Sequence, residues 1–131
     1  DVLGSRGLGD VYKRQLQQRI STVEKGFAKI NYAAAVRISP DRQYLYTTNR
    51  GEDTIVIYKI QKDGTLEFLE RHYLPGQFPR DFNISKDGKI LGVALEYSDC
   101  VVFYDVDNNT GTIRLRKEMV RIPSPTAIII E

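Results

Sequence analysis

Ile38-Ser39-Pro40-Asp41 and Ile84-Ser85-Lys86-Asp87 stand 46 residues apart, and that offset decides the fold. It continues without a gap for about twenty residues, a length at which chance agreement between unrelated segments fails. Leu45 falls on Leu91, Asp53 on Asp99, Val56 on Val102 and Tyr58 on Tyr104, with Ile55 answering Val101 and Ile57 answering Phe103. One extra residue then intervenes, after which Asp63-Gly64-Thr65-Leu66 answers Thr110-Gly111-Thr112-Ile113. Pro79 recurs as Pro125 and Ile84 as Ile130, so a third unit opens just before the end.

Each unit reads as four short strands. Ala34 to Ile38 is apolar and ends on the turn Pro40-Asp41-Arg42. Tyr44 to Thr48 is rich in aromatic and β-branched residues, which suit a pleated, half-buried surface. The turn Asn49-Arg50-Gly51-Glu52-Asp53 leads to Thr54–Ile60, whose alternation marks a strand with one buried face. Asp63-Gly64, a strong hairpin signal, then gives Leu66 to Tyr73. Residues 80–122 repeat the plan, and no stretch sustains a helical period. The expected class is all-β: a β-propeller fragment of two four-stranded antiparallel blades, approximately 33–78 and 79–124, with flanking strands at 19–24 and 126–131. Propeller rings close with four to eight blades, so two alone leave apolar faces open and strand edges free to pair with other chains.

Residues 1–15 stand outside this plan. Ser5 to Gln15 (Ser-Arg-Gly-Leu-Gly-Asp-Val-Tyr-Lys-Arg-Gln) is the in-frame translation of a transposon adapter used in sequencing libraries, and we exclude residues 1–15 as non-native. The exclusion disposes of Gly4, Gly7 and Gly9, which imitate a phosphate cradle without the strand and helix such a cradle needs. Residues 16–131 form the propeller part. There sixteen Lys and Arg face fifteen Asp and Glu with no block of one sign, so nothing points to nucleic acid or a membrane surface as partner. Cys100 is the single cysteine, which excludes an internal disulfide and a cysteine-rich zinc site; its place at a strand start reads as a buried, inert thiol. No apolar run approaches the roughly 20 residues that span a bilayer.

Chemistry on a propeller is expected where loops converge on the channel mouth. In a four-stranded meander, the loop entering the innermost strand and the loop between the second and third strands emerge on one face. That face collects Asn49, Arg50 and Gly51, then Phe78, Pro79, Arg80 and Asp81, then Glu96 and Tyr97. Arg50 has Glu96 as its repeat counterpart, and Arg80 has Ala34 before it and Thr126 after it. Such departures from an otherwise structural pattern are where function concentrates. Two guanidiniums at a mouth suit an anion, and a carboxylate such as Glu96 could activate water. The candidate catalytic residues are therefore Arg50, Arg80 and Glu96, and the candidate substrate-binding residues Asn49, Arg50 and Arg80. The bland alternative is ion pairing within the loops, Arg50 with Glu52 or Asp53 and Arg80 with Asp81. His72, the only histidine, falls on an outer fourth strand away from the channel.

Several segments resemble one family. Ser39 to Gly51, ending in Asn49-Arg50-Gly51, is similar to the signature of the lactonase propellers. Gly76-Gln77-Phe78-Pro79-Arg80-Asp81-Phe82 resembles that family's Gly-x-x-Pro-Arg-x-Phe segment, Ile20-Ser21-Thr22-Val23 its Ser-Thr-Leu segment, and Ile122-Pro123-Ser124-Pro125 its closing Pro-Ser-Pro. The likeness covers residue 20 onward. It implies a seven-bladed ring of which this chain is the C-terminal part. The implied activity is hydrolysis of 6-phosphogluconolactone to 6-phosphogluconate in the pentose phosphate pathway, in the cytoplasm, with no metal or other cofactor. Its implied partners are a small anionic lactone and the remaining blades. Carried over by position, Arg50 and Arg80 would hold anionic oxygens and stabilise an oxyanion, while Asn49 would shape the loop or donate a hydrogen bond. Relatives show Ala-Asn-Gln where this chain has Ala94-Leu95-Glu96, which loses an amide and gains a charge. The remaining catalytic groups would lie in other blades, so the fragment alone is expected to be inactive. Two alternatives stay open: a carboxymuconate-type cycloisomerase on the same scaffold, and a propeller that binds without chemistry.

Overall fold

The computed structural model of the chain describes residues 16–131, and the adapter-like segment 1–15 lies outside the described residues. Eight strands follow in order: β1 (Tyr32–Ile38), β2 (Tyr44–Arg50), β3 (Thr54–Ile60), β4 (Leu66–Tyr73), β5 (Pro79–Ile84), β6 (Ile90–Leu95), β7 (Cys100–Val106) and β8 (Ile113–Arg121). They form two four-stranded sheets in sequence order, β1-β2-β3-β4 and β5-β6-β7-β8, with every neighbouring pair antiparallel. The register repeats with the sequence: Leu45 pairs with Tyr58 as Leu91 pairs with Tyr104, and Asn49 pairs with Ala33 as Leu95 pairs with Pro79. Both first hairpins carry a shift at the same place, between Ala33 and Val36 and between Pro79 and Asp81.

The turns repeat because their side chains do. Asp41 Oδ1 accepts from the Ser39 hydroxyl at 2.6 Å and from Gln43 N at 3.0 Å; Asp87 Oδ1 accepts from the Ser85 hydroxyl and Lys89 N at the same distances. Each serine oxygen in turn accepts from the first backbone amide of the next strand, Tyr44 N or Ile90 N, both at 3.0 Å. Ser-x-Asp is thus a self-bonded turn that starts the second strand.

The core lies between the sheets. Tyr44, Tyr46, Ile55 and Ile57 of the first pack with Phe82, Leu91, Val93, Leu95, Val102, Tyr104 and Ile113 of the second. The hydroxyls of Tyr44 and Tyr46 cross the junction and donate to Asn109 O and Gly111 O, each at 2.9 Å. Nearer the centre, Arg37 of β1 reaches Asp81 of β5 at 3.0 Å and covers the Phe82 ring at 5.7 Å.

The two flanking segments differ from expectation. Residues 19–24 and 126–131 form no strand. The first has contacts that step across the sheet instead of along one strand: Gln18 bonds Leu66 twice, Ser21 O accepts from the Tyr58 hydroxyl, and the Thr22 hydroxyl donates to Asn49. A segment lying over a sheet face cannot share the ladder. The second lies against β5 and β6, with Ile128 N donating to Asp81 Oδ2 and Asn83 Nδ2 donating to Ile128 O. No strand among the described residues runs beside it, and a lone extended segment has nothing to pair with.

Candidate functional site

One repeated contact builds the same end of each blade. Asp53 and Asp99, which close the loops after β2 and β6, both adopt left-handed backbone at φ 56° and 51°. Asp53 Oδ1 accepts from Phe78 N at 3.0 Å, and Asp99 Oδ1 accepts from Ser124 N at 2.8 Å. Phe78 and Ser124 are themselves left-handed, at φ 65° and 45°, and each precedes a proline. The aspartate therefore clamps the chain where it turns into the next blade. Clamping sets residue 78 or 124 against residue 50 or 96, and the four are register-equivalent pairs.

At the first junction the pair is Arg50 and Phe78, with the guanidinium 5.4 Å from the ring centroid. Phe78 is also stacked on Tyr97, centroids 4.1 Å apart and planes 15° from parallel. At the second junction the pair is Glu96 and Ser124, whose hydroxyl donates to Glu96 Oε2 at 3.5 Å. Arg80 links the two junctions, its Nη1 lying 3.4 Å from Glu96 Oε1. Arg50, Phe78, Tyr97, Arg80, Glu96 and Ser124 are thus brought together where the ends of β2, β5 and β6 meet the segment after β8.

The loop-pairing alternative for the arginines does not describe this geometry. Glu52 is buried and spends its carboxylate on Arg71 Nε at 3.2 Å, on the Thr54 hydroxyl and on Glu24 N. Asp53 holds backbone amides of Gly51 and Phe78. Neither bonds Arg50, whose Nε is buried without a hydrogen-bond partner among the described residues. An unpaired buried donor costs about 1–3 kcal/mol. Asp81 likewise pairs with Arg37, not Arg80.

Asn49 is brought close in sequence but turned inward. It is fully buried; its Nδ2 donates to Thr22 O at 2.6 Å and to Thr54 Oγ1 at 3.1 Å. Its Oδ1 accepts from the Thr22 hydroxyl and from Asn31 Nδ2. That is loop-shaping: the amide ties the segment 22–31 to the end of β2. His72 sits on the outer strand β4, paired with Glu70 at 2.6 Å and edge-on to Tyr104. The aromatic pair Phe78–Tyr97 and the Ser124 hydroxyl carried no assigned role in the sequence. Phe78 and Tyr97 sit in the loops already singled out, and Ser124 in the Pro-Ser-Pro segment.

Comparison with known proteins agrees with this architecture. The family model described as "Lactonase, 7-bladed beta-propeller" matches residues 11–130. An uncharacterised protein of Lactococcus lactis is 37% identical over 113 residues, covering 86% of this chain and 33% of the relative. A solved structure of a periplasmic gluconolactonase of Pseudomonas aeruginosa superposes with a TM-score of 0.80 at 31% identity, over 87% of this chain and 32% of that one. A Bacteroides fragilis protein assigned as a 6-phosphogluconolactonase gives a TM-score of 0.69 at 29% identity, over 72% and 27%. The chain spans about a third of the length of the curated relatives it matches. Among the described residues no helix is long and apolar enough to cross a membrane.

Proposed function

Because the chain belongs to the seven-bladed lactonase propellers, we propose that its full-length parent hydrolyses a small anionic sugar lactone, 6-phosphogluconolactone foremost. The observation that carries this reading is Arg50: a guanidinium over the Phe78 ring at 5.4 Å, with its Nε buried and unbonded among the described residues. A purely structural arginine would have taken the carboxylates of Glu52 or Asp53. One without them keeps a charge that these carboxylates do not neutralise, which suits an anionic substrate.

The chemistry follows from the charge that develops. Water attacks the lactone carbonyl, a new C–O bond forms, and the carbonyl oxygen becomes an oxyanion. Arg50 and Arg80 offer fixed N–H donors to that oxyanion or to a phosphate on the same substrate. Glu96, held by Arg80 and Ser124, takes the proton of the attacking water. Collapse breaks the ring C–O bond, and the leaving alkoxide recovers the proton, giving the open hydroxy acid. Asn49 acts from behind, fixing the strand end that carries Arg50. The cytoplasm is the compartment we expect, as the phosphorylated substrate is made there; the Pseudomonas neighbour is described as periplasmic.

The test is hydrolysis by the full-length parent. Arg50→Ala should lower kcat/KM on 6-phosphogluconolactone by roughly 10²–10³, the usual cost of an oxyanion donor. Absence of hydrolysis by the wild type, or an Arg50→Ala variant with unchanged kcat/KM, would sink the proposal.

A further inference from the structure

We infer that Tyr97 is the platform on which the ring of a sugar lactone stacks, so that this face selects a closed six-membered ring over an open-chain acid. The inference rests on the hydrolase reading above and names how that site tells its substrate from its product.

The repeat does not require an aromatic residue here. The counterpart of Tyr97 one blade earlier is Gly51, at φ 126°, whereas Tyr97 stands in a short 3-10 turn, so the aromatic residue is peculiar to this loop. Yet Tyr97 lies flat on Phe78, with centroids 4.1 Å apart, while remaining 64% exposed. One face of the phenol is used and the side chain still presents most of its surface to solvent.

The support beneath it is rigid. Glu96 N donates to Phe78 O at 3.0 Å, Tyr97 N donates to Gln77 O at 3.2 Å, and Gln77 N donates to Ser98 Oγ at 2.8 Å. Gly76 packs so closely on Ser98 and Leu95 that an added Cβ would stand 2.8 Å from each. Phe78 is held at φ 65° by Asp53, a conformation that costs a non-glycine residue free energy. The same clamp recurs at Ser124, but only at Phe78 does it hold a ring beneath an exposed tyrosine.

The neighbours set the ligand. Arg50 lies over the Phe78 ring on which Tyr97 is stacked, and Glu96, next to Tyr97 in sequence, is paired with Arg80. The aromatic floor thus belongs to the same loop cluster as the two guanidiniums. A six-membered sugar ring carries C–H bonds on its face and hydroxyl or phosphate oxygens around its rim, and the C–H face suits an aromatic floor. An open-chain sugar acid carries hydroxyls, phosphate and an added carboxylate, but no face.

The experiment uses the full-length parent and two probes, each compared with itself across the variants so that the extra carboxylate of the second cancels: glucose 6-phosphate, which keeps a closed ring, and 6-phosphogluconate, which is open. Kd is measured by calorimetry for the wild type, Tyr97→Leu and Tyr97→Phe. Tyr97→Leu should weaken glucose 6-phosphate about five- to tenfold, the scale of one aromatic stack, and change 6-phosphogluconate by less than about twofold. Tyr97→Phe should retain wild-type affinity for both. Saturation of aromatic protons should reach the ring C–H protons of glucose 6-phosphate in the wild type and not in Tyr97→Leu. The inference is overturned if the wild type does not bind glucose 6-phosphate, if Tyr97→Leu leaves its Kd unchanged, or if both probes weaken alike. Tyr97-dependent ring binding by a protein that hydrolyses no lactone would uphold the platform and remove the hydrolase reading instead.

Discussion

At the scale of single residues, Gly111 shows how tightly the blade junction is made. It has φ 77°, and an added Cβ would lie 2.4 Å from Tyr44 Cδ1, while its own carbonyl accepts from the Tyr46 hydroxyl. Gly111→Ala must either strain that turn or push the Tyr44 ring out of the core. We expect a loss of about 2–4 kcal/mol in the full-length parent, from overpacking together with the left-handed backbone, read as a lower midpoint in chemical denaturation. An unchanged midpoint would mean that the junction is looser than these distances. Asp87 gives a subtler residue-level signature. Its carboxyl is held below the ordinary value of 3.8, first by the Ser85 hydroxyl and then by Lys89 N. The contribution to stability is present above that ordinary value and is lost as pH falls through the lowered one. Ser85→Ala should move the Asp87 midpoint back upward in an NMR titration, and a midpoint that stays put would remove the hydroxyl as the cause.

At the scale of elements, the aspartate clamp unites strand pairing with site geometry. Asp53 bonds Phe78 N, and the clamp brings Phe78 under Arg50; Asp99 bonds Ser124 N, and Ser124 reaches Glu96. Asp53→Ala removes an acceptor for two amides and frees Phe78 from its left-handed conformation. The expected cost is about 1–3 kcal/mol, as for other buried or half-buried hydrogen-bonding groups. The expected functional loss exceeds what that instability explains, because the Arg50–Phe78 contact goes with it. Comparing kcat with the thermal midpoint across Asp53→Ala and Asp99→Ala separates the two effects; activity that simply follows folded fraction would argue against the coupling. The strand pattern itself was legible: the expected third and fourth strands coincide with β3 and β4 end for end. The second strand runs two residues further than expected, to Arg50, because Asn49 and Arg50 continue the ladder with Ala33 and Tyr32. A turn-rich composition hid that extension.

At the scale of the whole molecule, two sheets present apolar surface that nothing among the described residues covers. Val36 and Ile38 on β1 are more than half exposed, and Ile129 is 81% exposed. The isolated chain should self-associate, its mass by light scattering rising with concentration; a concentration-independent monomer that unfolds cooperatively would contradict this. A second global response is alkaline. Burial pushes the Tyr104 hydroxyl from 10.0 up to about 12. A raised value means stability is intact below the ordinary pKa and is lost as pH climbs from about 10 through about 12, on the order of 2–3 kcal/mol for two pH units. Tyr104→Phe should flatten that part of the stability profile.

The sequence by itself determined the blade: its period, its strand order, its Ser-x-Asp turns and the loops that would hold a site. These are local or periodic properties, written in alternation and in turn residues, and they need no knowledge of what lies across the junction. The tertiary structure alone decided how the charges pair. Three carboxylates lie near Arg50 and Arg80 in the chain, Glu52, Asp53 and Asp81, and each found another partner, leaving Arg80 with the more distant Glu96 and Arg50 on an aromatic ring. Sequence distance cannot rank such partners, because antiparallel pairing and left-handed turns bring residues 16 or more positions apart closer than neighbours. For the same reason Asn49, which reads as a loop residue at the mouth, is buried in the sheet, and Tyr97, which reads as an ordinary turn residue, stands open upon Phe78.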